Sequence, residues 1–205
     1  MACAIWCCSS RLPPSFEPSV FFRFEFLIEA SIDVSKKALH RRADRVFPPK
    51  FETVWINGSI EEEGDQDLLN ILEVEIGSDG RAHGIIDKGL HIGHTWDYAE
   101  DILAVSWDDL CERAEEMASR VLGDRSDLAQ ERQTALDTIQ KDLARGEAVL
   151  QARKARLSGA SAKVVDTALE TERTLAESLR LGVEQPNSEL KFVAAIFLSP
   201  NLSFS

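Results

Sequence analysis

Long apolar runs are missing from this chain of 205 residues: no segment approaches the roughly twenty consecutive apolar residues that a membrane-spanning helix requires. Cysteine is scarce as well. Cys3, Cys7, Cys8 and Cys111 form no CxxC pair, and three of them crowd into the first eight residues. That usage argues against a disulfide framework or a zinc knuckle and makes a reducing cytoplasm the expected compartment. Also missing are a GxxxxGKS/T phosphate loop, a GxGxxG fingerprint, an HExxH metal helix and a GxSxG nucleophile elbow. No catalytic residue and no cofactor site is therefore expected in this chain. Met1 to Cys8 lacks a basic region, so its apolar residues do not read as a secretory signal.

Positive charge is in short supply. Against 23 lysines and arginines stand 35 acidic residues, giving a formal net charge of −12 and a pI of about 4.8. The chain as a whole thus repels phosphate backbones. Its excess charge is local: from Glu61 to Asp101 twelve carboxylates are offset only by Arg81 and Lys88. Just upstream the sign reverses. Lys36, Lys37, Arg41, Arg42, Arg45 and Lys50 lie within fifteen residues and are opposed by Asp44 alone. One reading is a solvated loop or short helix that neutralises the acidic segment beside it. The other is a contact for nucleic acid or an acidic partner, made by Lys36, Lys37, Arg41, Arg42 and Arg45.

What is present fits a folded chain, with 44% hydrophobic and 28% charged residues. Residues 1–19 show no helical or strand period and read as a disordered or non-native extension. Residues 20–200 read as a single α+β domain, and 201–205 as a tail. Val20 to Ile32 alternates, with Phe22, Phe24, Phe26 and Ile28 on one side, as a half-buried strand does. Phe51 to Ile56 is a second strand, ended by the turn dipeptide Asn57-Gly58. Leu68 to Ile76 reads as helix or loop first and strand toward Ile76, and a short strand is possible through His83 to Ile86.

From Asp97 the period changes. Leu103, Trp107, Leu110, Ala114, Met117 and Val121 recur in heptad steps; Leu136, Ile139, Leu143 and Leu150 continue in a second helix. Gly123 is placed to end the first helix, with Asp124 or Ser126 capping the second. Ser158-Gly159-Ala160-Ser161 is the expected turn. A third helix with Val165, Leu169, Leu175, Ala176 and Leu179 as its stripe runs to the stop at Pro186. Leu190 to Leu198 is almost wholly apolar and should enter the sheet beside the strand around Phe24. The expected architecture is a small antiparallel or mixed sheet with a long coiled-coil-like hairpin, residues 97–185, inserted before a C-terminal strand that returns to the sheet.

Candidate chemistry is sparse. His83, His91 and His94 lie near Asp87 and Asp97, and imidazoles with carboxylates suit a divalent cation; three polar residues in a glycine-rich loop is the plainer reading. Asp108-Asp109 and Glu115-Glu116 read as a solvated helix face, and Cys111 as a buried thiol rather than a nucleophile.

The strand RFEFLIEA at Arg23 to Ala30, the Pro48-Pro49 break, FETVWING at Phe51 to Gly58, the helical segments AQERQTAL at Ala129 to Leu136 and ARGEAVL at Ala144 to Leu150, and the closing LKFVAAIFL follow one order. That order resembles the C-terminal domain of bacterial Swi2/Snf2-type helicase-like ATPases, the group that includes the RNA polymerase recycling factors. The resemblance covers about residues 20–200 and is one of layout. It implies a non-catalytic accessory domain of an ATP-dependent translocase, which docks a protein partner such as RNA polymerase or a DNA-processing complex, or controls the motor. Nucleic acid would be met through the parent motor or the 36–50 basic cluster, and no membrane is implied. A free-standing adaptor that oligomerises or docks through its helical hairpin is the competing reading.

Overall fold

Three phenylalanines at alternate positions, Phe22, Phe24 and Phe26, form the core face of the strand Ser19–Glu29 and are almost fully buried. Their rings stack in sequence, with centroids 6.3 and 6.4 Å apart. The structure is a computed structural model that describes residues 3–8, 15, 17, 19–33, 37–72, 74–76, 82–84, 88–93 and 106–199. Its strands are β1 (Cys3–Cys8), β2 (Ser19–Glu29), β3 (Lys50–Asn57), β4 (Val74–Ile76), β5 (Ala82–Gly84), β6 (Lys88–Gly93) and β7 (Asn187–Ser199). Its helices are α1 (Lys37–Val46), α2 (Gln66–Leu72), α3 (Trp107–Asp124), α4 (Ser126–Lys154) and α5 (Ala160–Glu184). The class is α+β. No helix among the described residues is long and apolar enough to cross a membrane.

The chain divides into two compact units. Unit 1 comprises Met1–Phe26, Glu52–Asp124 and Leu190–Ser205; unit 2 comprises Leu27–Phe51 and Arg125–Glu189. α3 belongs to unit 1, and α4 and α5 belong to unit 2.

Unit 1 is built on a five-stranded sheet in the order β3-β2-β7-β1-β6, with a separate two-stranded sheet of β4 and β5. β7 lies between β2 and β1, as its apolar sequence predicts, and Ala194 to Leu198 are buried. β1 runs parallel to β7, from Cys3 opposite Ala194 to Cys8 opposite Ser199, and antiparallel to β6, so the sheet is mixed. Residues 1–19 are therefore not wholly an irregular extension. β1 escapes a reading of period because its two partners lie some eighty and one hundred and ninety residues further on, beyond any local pattern.

The turn after β3 is held by Asn57. Its side-chain oxygen accepts from the N–H groups of Ser59 and Glu61 at 3.0 and 3.2 Å, and its backbone N–H donates to Glu61. A Cβ at Gly58 would stand 3.1 Å from the Val20 side chain, so a larger residue would crowd β2 here. Asp65 then caps α2 by accepting from Asp67 and Leu68. On α3 the buried residues are Leu110, Ala114, Ala118 and Leu122, a straight i, i+4 stripe; Met117 and Val121 of the expected heptad seam are only half-buried. Gly123 lies inside α3, and Arg125 stands at the α4 N-cap without a side-chain cap bond.

In unit 2, α4 and α5 form an antiparallel hairpin. At about 1.5 Å per residue, the 29 residues of α4 extend some 43 Å. Leu128, Ala135 and Ile139 pack toward Val165, Leu169, Ala176, Leu179 and Val183 as buried residues of the two helices. Cross-pairs keep the register: Lys154 with Asp166 at 2.5 Å and Arg173 with Glu147 at 2.6 Å. The turn closes on Gly159, whose φ of 59° suits glycine. α1 packs on both helices and buries Leu39 and Ala43, with Phe47 buried just beyond its end. Gly182 of α5 accepts from the Ser31 N–H at 2.9 Å; a Cβ there would stand 2.6 Å from the Ser31 carbonyl oxygen.

Candidate docking site

Of the basic cluster predicted as a partner contact, Arg42 and Arg45 are engaged inside unit 2. Arg42 makes a bidentate pair with Glu172, Nη1 to Oε2 at 2.8 Å and Nη2 to Oε1 at 2.9 Å. Arg45 donates to Asp142 at 2.6 Å, and Lys50 pairs with Glu131. The Glu172 pair raises the Arg42 guanidinium above its ordinary value, and the Arg42 hydrogen bond lowers the Glu172 carboxyl below its own. The cluster forms a helix, α1, but its partners are carboxylates of α4 and α5 rather than the acidic segment that follows it. Lys37 and Arg41 remain exposed, and Lys36 lies outside the described residues. Arg42 and Arg45 thus clamp α1 to the hairpin, and Lys37 and Arg41 stay on its surface.

At the clamp a groove of about 510 Å³ opens between α1 and the hairpin, lined by Arg42, Arg45, Asp142 and Glu172 and by Leu143 and Val149 among others. The ion pairs from α1 reach no nearer the turn than Asp142 on α4 and Glu172 on α5. Past them the hairpin exposes Val149 (65%) and Val164 (69%).

A second charged surface was missed by the sequence reading. From Gln151 to Lys163, around the hairpin turn, stand Arg153, Lys154, Arg156 and Lys163 with no acidic residue. All of these thirteen residues but the half-buried Ala162 are exposed, and Lys154 pairs with Asp166. The turn itself is ordered by hydrogen bonds from Ala155 to Gln151, Arg156 to Arg153 and Leu157 to Lys154. A window count of charge alone would have found this cluster, since the chain around it is acidic.

The histidines do not converge in one sheet. His91 lies in β6, opposite Trp6, in the five-stranded sheet; His83 lies in β5, opposite Glu75, in the two-stranded one; His94 falls outside the described residues. Among the described residues no group of three metal-ligand side chains occurs. Asp108, Asp109, Glu115 and Glu116 are exposed on α3, as a solvated face requires. Burial, with Asp108 and Glu115 nearby, pushes the Cys111 thiol up to about 11, which keeps it protonated and unreactive near neutrality.

On the opposite side of β2 from the phenylalanines, Arg23 pairs with Glu25 and stands 5.9 and 5.8 Å from the ring centroids of Trp55 and Phe192. Trp55 is therefore engaged by a cation of the chain itself. No family model and no curated protein matches this chain.

Proposed function

We propose that this chain is the C-terminal accessory domain of a Swi2/Snf2-type helicase-like ATPase, in which the α4–α5 hairpin docks a protein partner or restrains the motor. The observation that carries the reading is the contrast along the hairpin. Its inner part is clamped to α1 by Arg42–Glu172 and Arg45–Asp142, and its outer part is bare of α1 and exposes Val149 and Val164. A stiff element with uncovered apolar side chains can give contact area without first paying to order itself. The order of strands, hairpin and returning β7 supports the same assignment by resemblance. RNA polymerase or a DNA-processing complex is the partner class this assignment carries, with nucleic acid engaged by the parent motor. The genomic DNA upstream of the Met1 codon tests it. Swi2/Snf2 motor motifs in frame or in an adjacent gene are expected, and a neighbourhood without any such motor overturns the assignment.

A further inference from the structure

Two oppositely charged surfaces of this chain are both exposed and both held in shape. The first is the hairpin turn, where Arg153, Arg156 and Lys163 are exposed and have no ion-pair partner among the described residues, and Leu157 is 38% exposed beside them. The second is the loop from Glu61 to Asp67, five carboxylates in seven residues with no basic residue between Phe51 and Leu72. Glu61, Glu62, Asp65 and Asp67 of that loop are exposed, and the half-buried Leu68 and Leu69 follow on α2. Its backbone is fixed by the Asn57 side chain, by the Ile56–Glu62 bridge and by the Glu63 N–H bond to Trp55. Each surface thus offers charges of one sign on an ordered turn next to partly exposed leucine.

We infer that the hairpin turn of one copy docks on the Glu61–Asp67 loop of a second copy. Three cations without an ion pair among the described residues, Arg153, Arg156 and Lys163, face five carboxylates, and ordered turns on both sides reduce the conformational entropy lost on association. A polyanion such as nucleic acid would meet the same cations but gain nothing from the leucines, so the acidic loop is the better fit. Because the two surfaces differ, two copies can close reciprocally as a pair or add further copies in a ring or chain. The inference uses surfaces of this chain alone and stands apart from the motor assignment.

A charge-swap mixture read by sedimentation velocity is the test. The wild type should self-associate at about 50 mM salt and dissociate toward about 300 mM, as the Debye length shortens. R153E/R156E/K163E and E61K/D67K should each weaken self-association at least tenfold, while retaining wild-type circular dichroism. An equimolar mixture of the two variants should associate again, because each supplies the surface the other lacks. A wild type that stays monomeric at low salt overturns the inference, as does self-association that neither variant weakens or that mixing fails to restore. A monomer whose turn cations instead bind a duplex DNA oligonucleotide, with binding lost in R153E/R156E/K163E, also overturns it in favour of nucleic acid.

Discussion

Two glycines of α4 and α5 separate space from propensity at the scale of single residues. Gly182 stands where a Cβ would meet the Ser31 backbone oxygen at 2.6 Å and the Ile32 side chain at 2.7 Å, whereas nothing lies within 4 Å of a Cβ at Gly146. Gly182→Ala forces the backbone at Ser31 to move and strains its bond to α5, a loss of about 1–3 kcal/mol by the usual cost of overpacking. Gly146→Ala meets no neighbour and improves helix propensity, a gain of about 0.5–1 kcal/mol. Urea unfolding of the two variants should give midpoints on opposite sides of the wild type. The Arg42–Glu172 pair supplies a pH signature. The Glu172 carboxyl is lowered from 4.5 in the folded state, so its contribution is complete above pH 4.5 and is lost as the pH falls through the folded value. Glu172→Gln should therefore be less stable than the wild type near neutrality, by about 1 kcal/mol or less for so exposed a pair. The gap should close in acid, and a gap independent of pH would refute the assignment.

Strand β7 carries the main consequence at the scale of elements. It lies between β2 and β1 and brings the buried run Ala194 to Leu198 into the core. A chain ending at Pro186 would leave both neighbours with open edges and remove that run. Limited proteolysis of the truncated chain should find no resistant fragment spanning β2 and β3; a stable one would show that these strands fold without β7. This placement was legible because nine consecutive residues with one charge can hardly sit anywhere but inside a sheet. The hairpin was legible in its turn at Gly159 and in the α5 stripe, both local features, whereas of the expected α4 seam only Ile139 is buried. α1 was only half legible: its charges were plain, but a bond from Arg42 to a carboxylate 130 residues away leaves no local trace. The heptad seam on α3 held at Leu110 and Ala114 and then ran one residue short, at Met117 and Val121, because the small Ala118 lets a straight stripe continue to Leu122.

The two units of the molecule are joined through β-structure as well as through a loop. Their boundaries fall at Phe26/Leu27 inside β2, Phe51/Glu52 inside β3 and Glu189/Leu190 inside β7, and once more at Asp124/Arg125 between α3 and α4. Melting either unit alone would have to end three strands part-way along their length. Trp6, Trp55 and Trp107 belong to unit 1, whereas α1 and the long α4 and α5 belong to unit 2. Tryptophan fluorescence therefore reports on the first unit, and circular dichroism at helical wavelengths chiefly on the second. Because the strands are shared, both signals should pass through one midpoint in urea, the coincidence expected of a two-state transition. Destabilising unit 2 by Gly182→Ala should shift the fluorescence midpoint along with the helical one. Two separated midpoints, or a Gly182→Ala shift confined to the helical signal, would mean that the strands fray at the boundaries and that the units fold independently.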